Sequence, residues 1–536
     1  MQGALLAGII QDPTDYDPIA HPQAAIIRRI TVINEMVAHG DMTKSQAALA
    51  KVASVPDHVK TSAAPPIDPQ VGYFVEEVKQ RLLADPDLGS TAQARYNAVF
   101  NGGLKIYTTL DEKMEADARQ AVADHLPPEN GKWTATLVSV DSTTGAVKAL
   151  VGGPGYNLSQ YRIATEGPGR QPGSSFKPIV LAAALKEGYN INAGVDGSSP
   201  CTFTNPPLPP YVAHNAEGGE GGYYTLATAL ASSINCAYIR TGIDVGLKQV
   251  VQMGQDLGIT TPLTPLESMS IGSEEVRPID MAGVYDTFAD AGVHHTPYLV
   301  EKVLDRNGNV IIQADHKGTQ VLQQNKVYEE LIGLRDVMLF GTGANSQLHG
   351  RPSWGKTGTA ENFDNAWFDG FTPQLTTVVW MGSPLGNVSM DNVCGQTQTG
   401  NEVCPGTVFG ATIPAPIWQE YMDLALAGQP ALDYPQPDPN DMGNIYTVQE
   451  PKGSFSGCPP PGPAGPGPTT TVNPFCYTPP TTAAPAAPTT TAPAGGTSTS
   501  TTVPGSPTTA GPGGGPGGPS TTAPGGKGPG PPGHGR

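Results

Sequence analysis

Three short strings carry side chains that together suffice for acyl transfer through a serine ester. They are Ser174–Lys177 (SSFK), Ser233–Asn235 (SIN) and Lys356–Gly358 (KTG). The first offers a hydroxyl and an amine, the second a further hydroxyl and an amide, and the third a cation. A serine hydroxyl is a weak nucleophile until a neighbouring base takes its proton. The three strings therefore predict covalent catalysis on a carbonyl group.

The same S-x-x-K spacing occurs a second time, from Ser353 to Lys356. Ser174 follows an Arg-Gln-Pro-Gly turn and precedes the apolar run Phe176–Leu185, which predicts a buried helix. On that helix Lys177 lies one turn further along and on the same face as Ser174. Ser353 is instead followed by a Trp-Gly pair, which does not begin a helix. We therefore predict that Ser174 is the nucleophile.

Each remaining side chain has a predicted role around Ser174. Lys177 is the predicted base, because burial and a second cation, Lys356, would lower the pKa of its amine. Ser233 would carry the proton to the leaving amine. Asn235 would orient Lys177 and bind the amide of the substrate.

The developing oxyanion needs two preorganised donors. The backbone N–H of Ser174 and that of Thr359 are the predicted pair. The hydroxyl groups of Thr357 and Thr359 suit a substrate carboxylate, and Thr357, Gly358 and Thr359 are therefore the predicted substrate-binding residues.

Composition limits the other possibilities. The chain has 536 residues, and its 66 glycines and 55 prolines are too many for a wholly globular protein. The formal net charge of −18 argues against nucleic acid as a partner, since such binders carry a basic surface.

The six cysteines form an even set, which is typical of an exported protein with disulfides. The spacing favours two local pairs, Cys394 with Cys404 and Cys458 with Cys476. Cys201 and Cys236 would then remain, either paired or as free buried thiols. The sequence contains no C-x-x-C and no clustered partners for His294–His295, so no metal ion and no cofactor is predicted.

Periodicity predicts helices at the beginning of the chain and a mixed unit in its middle. Residues 1–60 are predicted to be helical, and residues 61–130 to contain a helix at 73–79, a strand at 104–110 and a helix at 116–122. The unit that follows is predicted from hairpins at 136–151 and 365–381, helices at 174–185, 224–239 and 416–426, and a strand from Lys356. One helix, Tyr224–Ile239, would carry both Ser233 and Asn235. Strands at both ends with helices between them predict an α+β fold, in which helices face one antiparallel sheet.

The two ends of the chain differ from this unit. The early apolar stretch Ala4–Ile10 is too short to span a bilayer and lacks the basic flank of a signal peptide. An exported enzyme needs a route out of the cell, so we expect the natural N-terminus to lie upstream of Met1. From Pro459 onward the chain is mostly Pro, Thr, Gly, Ala and Ser, which predicts an extended, disordered tail.

Several segments resemble the class A, bifunctional penicillin-binding proteins. The string around the predicted nucleophile, Arg170–Pro178, resembles their active-site segment, and the third motif with its hairpin is similar as well. The resemblance extends over residues 1–428, most specifically 133–428, and the tail resembles that of mycobacterial members. The further matching segments are Val138–Asp141, Gly145–Val147, Gly355–Ala360, Asn365–Phe368, Gly370–Phe371, Ala4–Ile9 and Tyr16–Pro18.

This resemblance implies a fold like that of the penicillin-binding proteins and serine β-lactamases. It implies a D,D-transpeptidase that cross-links peptidoglycan stem peptides through a Ser174 acyl-enzyme, that β-lactams acylate, and that works outside the cytoplasm. The glutamates of the family's glycosyltransferase domain and its membrane anchor would lie upstream of Met1, so no glycosyltransferase activity is expected. The expected domains are a glycosyltransferase remnant (1–60), a linker (61–130), the transpeptidase domain (131–428) and a disordered tail (429–536).

Three alternatives remain open at the level of sequence. A D,D-carboxypeptidase would use water as the acceptor. A serine β-lactamase would need a glutamate to activate water, and Glu267 lies 34 residues after Ser233, but Ile271 stands where the lactamase pattern has asparagine, so we interpret Glu267 as structural. A wall-bound scaffold would use the Pro-rich tail, which is also a candidate contact for other cell-wall enzymes.

Overall fold

The computed structural model describes residues 2–13, 15–18, 21–53, 71–204, 209–216, 221–449 and 455–456. Within these ranges five helices precede the first strand, and helices and short strands are interspersed after it. The helices are α1 (Gln2–Ile9), α2 (Pro22–Ala38), α3 (Lys44–Val52), α4 (Gly72–Ala84), α5 (Ala92–Asn101), α6 (Glu112–His125), α7 (Lys177–Lys186), α8 (Leu226–Ala231), α9 (Asn235–Val245), α10 (Leu247–Asp256), α11 (Pro278–Ala289), α12 (Gln324–Leu339) and α13 (Pro414–Ala425). None of the helices in these ranges combines the length and apolarity that a bilayer crossing requires.

The strands are β1 (Lys105–Thr108), β2 (Thr134–Asp141), β3 (Val147–Val151), β4 (Gly194–Asp196), β5 (Cys201–Phe203), β6 (Tyr211–Ala213), β7 (Tyr223–Thr225), β8 (Val293–His294), β9 (Val300–Leu304), β10 (Val310–Gln313), β11 (Thr319–Gln320), β12 (Trp354–Thr359), β13 (Asn365–Phe371), β14 (Leu375–Gly382), β15 (Val393–Gln396), β16 (Glu402–Gly406) and β17 (Phe455–Ser456). Five of them form one antiparallel sheet in the order β12-β13-β14-β2-β3. The predicted α+β architecture is confirmed.

Helices cover both faces of this central sheet. Every residue of β13 and β14 is buried. Helices α6 and α13 pack on one face of the sheet, while α11 and α12 pack on the other. Such strands lack a polar face and are rich in aromatic and β-branched residues. The sheet ends at β12, which carries the KTG string and leaves one edge unpaired by the other strands.

The single helix predicted over Tyr224–Ile239 is wrong. The chain forms α8, breaks at Ser232–Ile234, and begins again as α9 at Asn235. Ser233 has φ +56°, the left-handed conformation that commonly ends a helix and usually requires glycine. The N–H groups of Ser233 and Ile234 donate to carbonyls of α8 at 3.0 and 2.9 Å, which closes this cap. An apolar helical pattern on both sides of the break conceals it in the sequence.

The segment that follows α13 also differs from prediction, since the tail was expected to begin at residue 429. Tyr434 packs edge-on against Trp354 with ring centroids 4.7 Å apart, and its hydroxyl donates to Ala289 O at 2.6 Å. Lys326 Nζ donates to Asp441 O at 3.1 Å, and Val448 is buried. A few large side chains therefore attach residues 430–449 to the domain. The predicted tail from Pro459 and the predicted Cys458–Cys476 pair lie outside the described residues.

Two disulfides occur among the described cysteines. Cys394 is bonded to Cys404, as predicted from spacing, and Cys201 is bonded to Cys236, the pair that the sequence left undecided. The first joins the exposed hairpin β15–β16, whereas the second ties β5 to the first turn of α9.

Candidate active site

Ser174 lies in a short 3₁₀ turn, Gly173–Phe176, that leads directly into α7. Gly173 has φ +56° and lies against the backbone of Thr359, so that a Cβ at position 173 would approach Thr359 N to 2.9 Å. Only glycine avoids both problems. The turn therefore brings Ser174 to the end of β12, at the wall of an open cavity of about 750 Å³.

Lys177 follows in the first turn of α7 and is completely buried. Its Nζ donates to Ser233 O at 2.6 Å, to Ser233 Oγ at 3.1 Å and to Asn235 Oδ1 at 2.8 Å. Burial lowers the pKa of Lys177 well below its ordinary value, and the nearby Lys356 lowers it further. A buried amine of this kind can accept a proton at neutral pH.

Lys356 approaches the same hydroxyl from the other side. Its Nζ donates to Ser233 Oγ at 3.0 Å and to Thr357 O at 3.0 Å. Burial lowers the pKa of Lys356 to about 7, while Asp369 acts in the opposite direction. Ser233 Oγ thus bridges two lysine amines, which is a connected path along which a proton can move.

The left-handed break described above makes this bridge possible. A continuous helix would direct the Ser233 carbonyl along the helix axis to a later N–H group. In the observed turn the carbonyl and the hydroxyl of Ser233 both face Lys177.

The strand edge beside Ser174 supplies an outward N–H group. Ala360 N–H donates across the ladder to Asn365 O at 3.0 Å, and β12 pairs with β13 as a regular antiparallel ladder. Because inward and outward groups alternate along such a strand, Thr359 N–H points away from β13. It lies on the side where Gly173 and Ser174 approach.

The other predicted site residues take the following places. Asn235 Nδ2 donates to His214 O at 2.8 Å, and Thr357 Oγ1 is hydrogen-bonded to Thr342 Oγ1 at 2.7 Å. Thr359 Oγ1 accepts from Gly410 N at 3.2 Å. Asn235, Thr357 and Thr359 line the cavity together with Ser174 and Ser233. Gly358 is not among the lining residues, and a Cβ at this position would collide with the Pro172 carbonyl oxygen and crowd the Ser175 hydroxyl.

Several residues that line the cavity lie outside the three sequence motifs. Ser273 Oγ donates to Ser268 Oγ at 2.9 Å on one wall, and the rings of Phe363 and Phe409 meet edge-on, 5.3 Å apart, on another. The wall beside α9 contributes Tyr211. These residues come from loops and short strands that are distant in sequence, so spacing gives no signal for them. The cavity is lined by Ser268, but Glu267 is not among its lining residues.

The Cys201–Cys236 disulfide lies directly behind Asn235. Cys236 N–H donates to Asn215 Oδ1 at 3.0 Å, and the preceding residue of that loop, His214, accepts from Asn235. The disulfide therefore holds the first turn of α9 against the strands β5 and β6.

We expect the double variant Cys201→Ala/Cys236→Ala to lose about 2–4 kcal/mol of stability. We also expect reagents that acylate the active-site serine to react more slowly with it, because the turn that holds Asn235 loosens. Cys394→Ala/Cys404→Ala is the matched control, in which the stability changes less and the reaction rate stays within about twofold. Thermal melting and stopped-flow acylation measure the two effects. Equal slowing in both variants would contradict a local role.

The comparisons with known proteins agree on one family. Residues 135–385 match the model of the penicillin binding protein transpeptidase domain. A curated relative, penicillin-binding protein 1A of Mycobacterium tuberculosis, is 30% identical over 461 residues, covering 81% of this chain and 53% of that protein. Penicillin-binding protein 1A of Aquifex aeolicus is 26% identical over 530 residues, covering 83% and 68%. The chain thus spans between about half and two thirds of the length of these relatives.

A solved structure of a penicillin-binding protein is also similar to this chain. The PonA1 protein from Mycobacterium tuberculosis in complex with penicillin V superimposes with a TM-score of 0.59 at 28% sequence identity. The match covers 71% of this chain and 99% of that one. That protein was solved with penicillin V bound.

Proposed function

Because residues 135–385 belong to the penicillin-binding protein transpeptidase family, we propose that this chain is a serine D,D-transpeptidase that cross-links peptidoglycan stem peptides. The observation that carries the proposal is Ser233 Oγ, held at 3.1 Å from Lys177 Nζ and 3.0 Å from Lys356 Nζ in the cavity that Ser174 lines. The acyl donor would be a stem peptide ending in D-Ala-D-Ala, and β-lactams would occupy the same place.

The donor peptide would lie along the open edge of β12. An edge strand offers outward N–H and C=O groups to an extended peptide, which can add to the sheet as a further strand. The hydroxyl groups of Thr357 and Thr359, together with the Lys356 ammonium, suit the terminal carboxylate of such a peptide. Gly358 would allow this close approach by keeping β12 against the 3₁₀ turn that bears Ser174.

In the acylation step Ser174 Oγ would attack the carbonyl of the penultimate D-alanine. The Ser174 proton would pass to Lys177 Nζ, and the N–H groups of Ser174 and Thr359 would bind the oxyanion. The C–N bond would then break, and the leaving D-alanine would receive a proton from Lys177 through Ser233 Oγ. Asn235 would hold Lys177 in place and bind a backbone amide of the donor.

In the second step an amine of another stem peptide would attack the ester, and its proton would return through the same lysine and serine groups. Release of Ser174 would leave a new amide bond between two strands. We place this reaction outside the cytoplasm, and the disulfides support that location because such bonds persist in oxidising compartments.

The decisive experiment supplies the protein with a D-Ala-D-Ala-terminated peptide and a series of amine acceptors, and identifies the products by mass spectrometry. The expected result is a peptide–acceptor amide together with one released D-alanine. In a parallel reaction, penicillin should leave an adduct on the Ser174 peptide that persists for many minutes.

The same measurements separate the alternatives. Release of D-alanine without an amide product at any acceptor concentration would identify a carboxypeptidase. Rapid disappearance of the penicillin adduct would identify a β-lactamase, in which Glu267 or another group activates water. Absence of any adduct on a folded protein would favour a scaffold.

A further inference from the structure

A single acidic side chain lies within the apolar strand behind the lysine pair. Asp369 is directly opposite Lys356 in the β12–β13 register, and both side chains are completely buried. Directly opposite residues of an antiparallel pair project to the same face of the sheet. The neighbours of Asp369 on that face of β13 are Trp367 and Phe371, both fully buried.

The nearest neutral donor to the Asp369 carboxylate is the hydroxyl group of Ser175. Among the residues that the structure describes, neither of its oxygens has a hydrogen-bond partner. Ser175 Oγ, which lies close by on the 3₁₀ turn, donates to Pro172 O at 2.9 Å. Tyr285, on α11, donates to Ser175 O at 2.9 Å. Both hydroxyl protons are therefore committed to backbone carbonyls.

The other titratable groups on the elements packed here are Lys177 on α7, Tyr238 on α9 and Glu330 on α12. Tyr238 donates to Leu226 O at 3.1 Å and cannot neutralise a carboxylate. Glu330 is itself acidic and completely buried. Lys356 is the cation that lies opposite Asp369 in the register. Burial raises the pKa of Asp369 well above its ordinary value, and the charge of Lys356 acts against this rise. In the same way the charge of Asp369 raises the pKa of Lys356.

We propose that Asp369 is a positioning residue that keeps Lys356 charged from behind, so that Lys356 in turn keeps Lys177 neutral as the base. The proposal rests on the transpeptidase function proposed above. It follows from the geometry because a buried ammonium requires a compensating charge, and the strand register puts a buried carboxylate opposite it. Asp369 does not line the cavity and so acts only through Lys356.

The expected consequence concerns the pH profile of acylation. Loss of the Asp369 charge lowers the pKa of Lys356, which in the native protein is about 7. Lys356 then loses its proton at lower pH, so the decline of the acylation rate on the basic side of the profile also occurs at lower pH. We expect a displacement of about one pH unit or more in Asp369→Asn, and a loss of about tenfold in the acylation rate above pH 8.

The experiment measures the second-order rate of acylation by a chromogenic penicillin between pH 5 and 10. Asp286→Asn is the matched control, since Asp286 is likewise a completely buried carboxyl group, but it faces Asp141 and Asp290 instead of the lysines. Asp286→Asn should alter the melting temperature and leave both sides of the profile in place. Asp369→Thr provides a second neutral variant, suited to a strand, if Asp369→Asn does not fold.

The outcomes are distinct. A basic limb displaced downward in the Asp369 variants alone supports the proposal. An unmoved limb, or an equal displacement in Asp286→Asn, overturns it and leaves Asp369 with a structural role. Failure of the wild-type protein to react with penicillin overturns the proposed function instead.

Discussion

Replacing Ser174 by alanine is expected to abolish labelling by a fluorescent penicillin and to reduce transpeptidation by about 10⁴-fold or more, because no other oxygen would form the ester. Ser174 is partly accessible at the cavity wall, and its side chain makes no contribution to the core. The variant should therefore melt within a few degrees of the wild-type protein. Gel fluorescence and mass spectrometry of the labelled peptide measure the effect.

Ser353→Ala is the matched control, since Ser353 begins the second S-x-x-K match. Its hydroxyl is buried and, among the described residues, has no hydrogen-bond partner. Removing an unsatisfied buried hydroxyl costs little or is stabilising. We expect full labelling in Ser353→Ala, and undiminished labelling in Ser174→Ala would disprove the assignment of the nucleophile.

Replacing Lys177 by methionine is expected to slow acylation by about 10²–10⁴-fold, the range typical for loss of a general base. Methionine preserves much of the volume of the buried side chain, so the loss should be chemical more than structural. The native rate should rise with pH as Lys177 loses its proton, and it should do so below the ordinary range of a lysine because the pKa of Lys177 is lowered. This rising limb should disappear in the variant.

Lys177→Arg distinguishes a base from a mere cation. Arginine keeps the positive charge but does not release its proton in proteins. We expect Lys177→Arg to be as inactive as Lys177→Met. Retention of activity by the arginine variant would show that position 177 contributes only charge. Circular dichroism melts of both variants verify that each one folds.

The parts of the site that the sequence predicts are those with a local signal. Ser174 and Lys177 are adjacent on one turn, so their proximity follows from helix geometry alone. Burial of Lys177 follows from the apolar run around it. The arrival of Lys356 at Ser233, 123 residues away, depends on the sheet order and could only be inferred from the motif set as a whole.

The errors arise where tertiary contacts override local pattern. Ser232 and Ser233 lie inside a helical pattern, whereas the break between α8 and α9 turns the Ser233 carbonyl and hydroxyl toward Lys177. Residues 430–449 are poor in apolar residues, yet Tyr434 packs on Trp354 and Tyr446 packs on Tyr189. The sequence shows that Asp369 is the one charged residue of the apolar strand β13. That it lies opposite Lys356 depends on the register with β12, which the sequence does not show.

At position 233 the requirements of stability and of activity conflict, because Ser233 has a left-handed backbone conformation. A non-glycine residue in this conformation costs about 1–3 kcal/mol, and glycine would remove the strain. Glycine would also delete the hydroxyl that joins the two lysines. Selection for stability would therefore favour glycine at position 233, and selection for activity would favour serine. The residue present is serine, so activity is retained at a cost in stability.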